Sequence, residues 1–480
     1  MTQVFEKKGL TKKSENISEW YHDVVLRAEL ANYSEVKGSM IIRPYGYAIW
    51  EHVQKTLDEW FKEDGVQNAY FPLLIPMSYL QKEKDHLKGF SPELAIVTHA
   101  GGEELAEPYA IRPTSETIMY KTFSDWIQSY RDLPLKINQW ANVVRWEKRT
   151  YPFLRTSEFL WQEGHTVHQT EAEAIEMTLK ALKWYKKFYE EQFAISVYAG
   201  IKSESEKFAG AKTTYSIEMV IPDGKALQAA TSHNLSDNFA KVFDIEFLNE
   251  EGKKEHPFQT SWGLSTRSIG GLILSHGDDS GLIVPPRVAP HQVVILIVGG
   301  DATVKDHAMK ISHQLRQRGV RIAVDIDSEH SLGFRINNWE LKGVPVRLEV
   351  GAKEIEQGTV KFVRRDTFEK GFIPLDELEA KIPELLEAIQ NELFEKSKKN
   401  RDNLTINVDS LDLFKESLEK QRYFIRAPWC EDAECEAKIK EETKVSTRVL
   451  ELERTEEAID GACVGCGGPA KRRWLFAQGY

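Results

Sequence analysis

The pattern of this chain changes at Pro285-Pro286, and no other feature constrains its fold as much. Downstream, apolar stretches alternate between strand and helix periods. Strands are predicted over 291–299, 320–326, 346–350 and 359–364, with helices over 304–317, near 332–342 and over 375–396. This alternation specifies an α/β domain of ordinary size. Upstream the two periods do not alternate cleanly. There an amphipathic helix is predicted over 14–33 and a strand over 65–75 leading to Pro76. Helices follow over 115–130 and 171–193, the second capped by Thr170, with strand-like runs at 213–221 and 242–248. The upstream region contains neither G-x-G-x-x-G nor G-x-x-x-x-G-K-[ST], which disfavours Rossmann and P-loop nucleotide sites. A nucleotide would have to be held there by side chains on an antiparallel sheet, one face of which can stay open to a ligand. The expected division is therefore a domain over 1–285, an α/β domain over 286–400 and a third over 401–480. The charged segment 395–403 would link the last two.

Two upstream segments carry chemistry. The first runs from Arg145-Trp146-Glu147 to Phe153-Leu154-Arg155. On a strand, Arg145 and Glu147 would point the same way. A guanidinium, a carboxylate and a second guanidinium suit a nucleotide: the arginines take phosphate or carboxylate, the glutamate an amine. The second segment, Gly263 to Gly271, carries Arg267 and ends in a Gly pair that lets backbone approach a ligand or a strand closely. Together the two segments point to ATP-dependent activation of an amino acid.

The four cysteines all follow residue 429. Cys430 and Cys435 form one close pair and Cys463 and Cys466 a second. This is the spacing of a tetrahedral four-cysteine zinc site with no open catalytic position. The polar residues 1–13 carry no apolar h-region and no run could span a bilayer, so a cytoplasmic protein is expected, in which disulfides are disfavoured. The net charge of −11 argues against a bulk electrostatic DNA binder. Two short basic clusters, Lys361 with Arg364 and Arg365, and Lys471 to Arg473, are candidates for RNA contact, although such clusters are more often solvated surface.

The residues resemble those of class II aminoacyl-tRNA synthetases, and more narrowly the prolyl-tRNA synthetases of the archaeal and eukaryotic-like type. Residues 65–76 (GVQNAYFPLLIP) resemble motif 1, a dimer-interface strand with its proline at Pro72. Residues 140–159 (WANVVRWEKRTYPFLRTSEF) resemble motif 2, and 161–165 (WQEGH) continue its helix. Residues 260–267 (TSWGLSTR) with Gly270-Gly271 resemble motif 3. The loop 112–116 (RPTSE) resembles the one that clasps proline, segments 207–210 and 228–233 (QAATSH) also match the family, and 343–353 (GVPVRLEVGAK) is the strongest match in the α/β domain. His99 stands where a basic arginine was expected.

The resemblance implies an α+β protein. An antiparallel catalytic sheet of six or seven strands with flanking helices would be followed by an α/β anticodon-binding domain and a small C-terminal zinc-binding α/β domain. It implies ATP-dependent ligation of L-proline to tRNA(Pro) by way of a prolyl-adenylate, in a cytoplasmic homodimer with no DNA or membrane partner. Arg145 would bridge the proline carboxylate and the α-phosphate, and Arg267 would hold phosphate from the other side. Glu147 would accept from the adenine amine and Arg155 would hold the γ-phosphate near Thr156. Gln228, Thr231 and Ser265 would complete the ATP contacts, with Mg2+ on the triphosphate. Glu116 would pair with the proline ammonium and Thr114 would donate to its carboxylate. Trp161, Phe208 and His233 would wall the ring, and Glu163 and His165 would set a polar rim. Glu340 and Lys353 are candidates for anticodon reading, and the terminal Tyr480 would fold back toward the active site. Only residues 160–259 separate motifs 2 and 3, leaving little room for an editing insertion. A threonyl enzyme would carry a zinc-binding cysteine inside the catalytic region, and none occurs before Cys430. A histidyl pocket signature is missing. A regulator that had lost catalysis would show broken phosphate arginines, whereas Arg145, Arg155 and Arg267 are all present.

Overall fold

The structure is a computed structural model that describes residues 9–80, 94–299, 302–457 and 459–480. An eleven-stranded sheet organises most of it. Six antiparallel strands form its centre: Leu135–Val144, Glu158–His168, Phe258–Ser265, Ala226–Ser236, Thr213–Val220 and Val197–Ile201. The short strand Gln67–Asn68 adds in parallel beside Leu135–Val144. This is the expected antiparallel catalytic sheet.

Side-chain alternation gives the sheet two different faces. Gln162, Gly164, Ser232 and Trp262 face helix Glu171–Lys187. Tyr185 donates to Gln162 at 2.5 Å and Ser232 donates to the Thr178 carbonyl at 2.7 Å. Gly164 is required here, since a Cβ would lie 2.2 Å from the Trp262 ring. The helix buries Ala174, Met177, Thr178, Ala181, Leu182 and Tyr185, a stripe at helical spacing, and starts with a Thr170–Glu173 capping box. Residues of opposite parity on the same strands (Trp161, Glu163, His165, His233, Ser261, Gly263, Ser265) line an open cleft on the other face.

The α/β unit after Pro285-Pro286 contains the four expected strands and a fifth, Lys370–Pro374, that was not among those predicted. Its sheet runs Ile322–Asp325, Val293–Ile297, Val346–Val350, Thr359–Arg364, Lys370–Pro374, with the first three strands parallel. The tail carries Thr405–Asn407, Phe424–Trp429, Ser446–Glu451 and Arg472–Ala477. These strands extend the central sheet, because Leu450 pairs with Ile201 and Glu451 with Gly200. A Cβ on Gly200 would lie 2.2 Å from the Leu450 carbonyl oxygen, so only glycine admits this approach.

Several expectations are corrected. The first helix spans Ile17–Arg27, not 14–33. The chain turns at Glu29, in the left-handed region, and enters a strand at Ala31–Tyr33. The expected strand over 65–75 breaks into Gln67–Asn68 and Leu74–Pro76. Between them Gln139 accepts from the Phe71 N–H at 2.5 Å and Arg112 donates to the Phe71 carbonyl at 2.7 Å, so side chains replace the ladder. Residues 161–165 lie in strand Glu158–His168, not a helix. Over 242–248 only Phe247–Leu248 is a strand, after helix Asn238–Val242. The charged segment 395–403 is the end of helix Leu378–Asn403. The basic cluster at 361–365 is spent on internal ion pairs: Lys361 with Glu349, Arg364 with Asp366 and Glu392, and Arg365 with Asp278. Arg472 and Arg473 likewise pair with Glu431 and Asp409.

Candidate active site

The cleft on the open face has a volume of about 490 Å³. It gathers Thr114, Glu116, Arg145, Trp161, Glu163, His165, Phe208, Gln228, Thr231, His233, Ser265 and Arg267, all of them singled out in the sequence. Register explains the convergence. Glu163 sits opposite Gly263 and Gln139, His165 opposite Ser261, and Ser261 opposite His233.

Arg145 lies one residue past strand Leu135–Val144, so it is aimed by its contacts and not by strand alternation. Its Nε donates to the Pro113 carbonyl at 3.0 Å, and its guanidinium carbon lies 5.5 Å and 5.4 Å from the ring centres of Phe159 and Trp161. Arg267 begins helix Arg267–His276 and donates from Nε to the Leu154 carbonyl at 2.9 Å. Burial and then the charges of Arg145 and Arg155 pull the Arg267 pKa below the ordinary guanidinium value. Burial lowers Arg145 as well, against the opposing pull of Glu116, Glu163 and Glu147. Among the described residues, none of Arg145, Arg155 and Arg267 makes an ion pair. Three mutually repelling cations with no bonded counterion define a place for an anion.

The acidic end of the cleft is compact. Thr114 donates to Glu116, the first residue of helix Glu116–Trp126. Glu163 accepts from Ser115 Oγ at 2.5 Å and Gln139 Nε2 at 2.8 Å, with His165 Nε2 at 3.2 Å. Burial raises the Glu163 pKa, but His165, Ser115 and Gln139 outweigh it and hold the carboxyl below its ordinary value. Burial, with His165 nearby, pushes His233 down to about 3, so its ring is neutral. Thr214 Oγ1 accepts from the Phe208 N–H at 2.9 Å and forms a hydrogen bond of 3.0 Å with His233 Nδ1. The Phe208 and His233 rings lie 4.7 Å apart and form one wall.

A second cavity of about 330 Å³ adjoins the first, sharing Gln228 and Arg267. Arg149, Tyr151, Arg155, Arg448 and Tyr480 line it. Tyr480 reaches it because its N–H donates to the Ala226 carbonyl at 2.9 Å and the Ala226 N–H donates to the Gln478 carbonyl at 2.9 Å. Arg448 is clamped to buried Glu218 at 2.7 Å, and Lys202 approaches the same carboxylate at 3.1 Å. Thr156 is buried and lines neither cavity. Glu147 also lies outside both linings, although its charge acts on Arg145 and Arg267. The Gly270-Gly271 pair serves packing: Cβ atoms there would lie 2.5 Å from Leu154 and 2.7 Å from Met219.

The four cysteine sulphurs lie within 4.8 Å of one another. The Cys435–Cys463 and Cys430–Cys466 separations are 3.6 Å and 3.7 Å. Tetrahedral thiolates around zinc at about 2.3 Å stand about 3.8 Å apart, so the donor set fits such an ion. Backbone N–H groups of Cys466 and Gly465 point at the Cys463 sulphur and favour its thiolate against the effect of burial.

Phe159, Thr214, Lys207, Arg149 and Arg448 line the cavities without having been singled out. Phe159 and Arg149 stand in the segment that carries Arg145 and Arg155. Thr214 and Arg448 carried no local signal, since strand pairing alone brings them in.

Three family models match: tRNA synthetase class II core domain (G, H, P, S and T) over residues 98–276, anticodon binding domain over 292–385, and prolyl-tRNA synthetase C-terminal over 411–480. The chain is 50% identical over 478 residues to the proline--tRNA ligase of Natranaerobius thermophilus, covering 98% of each. It is 50% identical over 472 residues to proline--tRNA ligase 2 of Clostridioides difficile, again covering 98% of each. A crystal structure of prolyl-tRNA synthetase from Cryptosporidium parvum complexed with halofuginone and AMPPNP superposes with a TM-score of 0.95 at 45% identity, over 98% of this chain and 99% of that one. A second, complexed with L-proline and AMP, gives 0.93 at 44%, over 98% and 96%.

Proposed function

The chain belongs to the prolyl-tRNA synthetases, class II enzymes that join proline to tRNA, and from that premise we propose how its cleft does so. ATP would lie across the arginines, with proline at the acidic end. Proline's carboxylate attacks the α-phosphorus and pyrophosphate leaves, giving prolyl-adenylate. The terminal ribose hydroxyl of tRNA(Pro) then attacks the acyl carbon and releases AMP. Such transfers need positioning and charge stabilisation more than a protein nucleophile. Arg145, standing between the two ends of the cleft, lowers the repulsion between carboxylate and α-phosphate. Arg155 and Arg267 hold the β- and γ-phosphates, and the second cavity receives the leaving pyrophosphate. Glu147 accepts from adenine, while Gln228, Thr231 and Ser265 line the nucleotide path and Thr156 follows Arg155 in the chain, next to its phosphate. Glu116 pairs with the proline ammonium, with Thr114 beside it. Trp161, Phe208 and His233 enclose the ring over the Glu163–His165 rim.

Mg2+ bound with the triphosphate, with Gln228 as the nearby residue, would supply neutralisation of charge that the arginines do not. Zinc is the ion that Cys430, Cys435, Cys463 and Cys466 fit, in a structural role. Residues 1–285 form the aminoacylation domain, 286–400 the anticodon domain, with Glu340 and Lys353 as reading residues, and 401–480 the zinc domain. The enzyme works in the cytoplasm as a homodimer and does not itself hydrolyse mischarged tRNA.

The convergence of three arginines, without a bonded counterion among the described residues, beside a compact acidic pocket carries this proposal. Its test is ATP–pyrophosphate exchange with each of the twenty amino acids. Strong exchange with proline and weak exchange with alanine is expected. Exchange centred on any other amino acid overturns the pocket assignments.

A further inference from the structure

The wall of the amino-acid pocket is tied to the C-terminal domain through one buried carboxylate. Phe208 and Lys207 belong to the connection between strands Val197–Ile201 and Thr213–Val220. Such a connection holds its shape only if something outside it fixes it. Phe208 is anchored at Thr214, while Glu206 and Lys207 turn back on the Ser203 carbonyl at 3.2 Å and 2.9 Å. Ser203 in turn donates to Glu436 Oε1 at 3.0 Å, and Ser205 donates to Glu436 Oε2. Glu436 follows Cys435 in helix Ala433–Thr443 and is only 4% exposed. Thr447, from the tail's own strand, also donates to Glu436, and Lys440, one turn along the helix, reaches Glu206 at 3.1 Å.

Glu436 has no cation bonded to it among the described residues. Burying a carboxylate is costly unless it is paired or fully hydrogen-bonded, and here hydroxyl donors from both sides satisfy it. A hydrophobic residue would fill this place at lower cost if the contact served cohesion alone. We propose that Glu436 is a positioning residue for the proline pocket: it fixes the 203–207 segment, and so the placement of Phe208 against His233. The C-terminal domain would thus set amino-acid affinity and the preference for proline over smaller amino acids, without touching either. This inference rests on assigning the Phe208–His233 wall to proline.

The test is ATP–pyrophosphate exchange on full-length Glu436→Ala, Glu436→Gln and the double variant Ser203→Ala/Ser205→Ala. The last cuts the same contact from the catalytic side and leaves the cysteine-bearing helix intact. Loss of a charge-assisted hydrogen bond predicts a rise of about tenfold in KM for proline. KM for ATP should stay within about twofold, the proline-to-alanine ratio should fall, and Glu436→Gln should recover part of the loss. An unchanged KM for proline in the folded double variant overturns the proposal, as does an equal rise in both KM values. Wild-type protein without proline-dependent exchange would overturn the pocket assignment and this inference together; wild-type exchange with unmoved variants overturns this inference alone.

Discussion

Replacing Arg267 with Met separates a functional cation from a structural one. The side chain is half-buried between the two cavities, makes a single hydrogen bond to the Leu154 carbonyl, and faces two other cations. Met has similar length and volume and carries no charge. The unliganded variant loses one hydrogen bond, about 1 kcal/mol, and is relieved of burying a repelled charge. The two effects oppose each other, so the apparent melting temperature should move by less than about 3 °C. Activity should respond very differently. Two charge-assisted bonds to phosphate in a site shielded from water are together worth about 3–5 kcal/mol, which corresponds to about 10²- to 10⁴-fold in kcat/KM for ATP. Proline-dependent ATP–pyrophosphate exchange measures the activity, and thermal unfolding with and without ATP measures the stability. ATP should stabilise the wild type, and that stabilisation should largely vanish in the variant. Two results would refute the reasoning: kcat/KM within about threefold of wild type, or a melting temperature lower by more than about 8 °C. The second would make Arg267 a structural arginine.

Other outcomes follow from the same geometry. Glu116→Gln should raise KM for proline by about 10- to 100-fold with a much smaller change in KM for ATP, because the proline ammonium loses its charged partner while Arg145 keeps the charges of Glu163 and Glu147; steady-state exchange kinetics decide it. Arg448→Met leaves Glu218 buried with Lys202 as its only cation among the described residues and should cost about 3 kcal/mol of stability, read from urea unfolding. Cys463→Ser, or removal of metal by a chelator at neutral pH, should release about one zinc per chain by elemental analysis and lower the melting temperature. Burial holds His168 and His276 at about 4, below 6.5. As pH falls the unfolded chain takes up those protons first, so stability present above about 6.5 is lost progressively down to about 4. The slope should approach about 1.4 kcal/mol per pH unit for each histidine, and His276→Asn should lower it by about that amount between about pH 6.5 and 4 in urea titrations.

How much of this was legible in the sequence depended on whether the signal was local. The arginines of the cleft could be picked out because two short segments hold them, Arg145 with Arg155 and Arg267 before its Gly pair, whereas Thr114, Glu116 and Ser265 were reached only through the resemblance of the motifs that carry them. The four cysteines revealed themselves by spacing alone. The α/β unit was legible because its strands are apolar runs between clear helical periods, and Val346–Val350 and Thr359–Arg364 fell where the pattern put them. Where backbone groups are satisfied by distant side chains, the pattern misled. Phe71 looks like part of a strand, yet its N–H and carbonyl are taken by Gln139 and Arg112. The charged run 395–403 reads as a linker because it lacks an apolar stripe, but helix Leu378–Asn403 carries its packing face earlier, at Ile382, Leu386, Ile389 and Leu393. Arg448 was illegible for a different reason. Its role depends on a pairing between Leu450 and Ile201 that no local rule can anticipate.

That pairing has a consequence for how the protein is made. Among the described residues, strand Val197–Ile201 is paired on one side by Thr213–Val220 and on the other only by residues near 450. During synthesis the catalytic sheet therefore emerges from the ribosome with an uncovered edge, and keeps it for about 185 residues after its last central strand, Phe258–Ser265, has been made. At about 5–20 residues per second that interval lasts roughly 9–37 seconds. The buried Lys202 and Glu218, still lacking Arg448, keep ionic groups beside this edge, and charge near an open edge discourages pairing with a neighbouring nascent chain. The same ion cluster that later seals the C-terminal strands in place thus protects the unfinished sheet from its neighbours on a polysome.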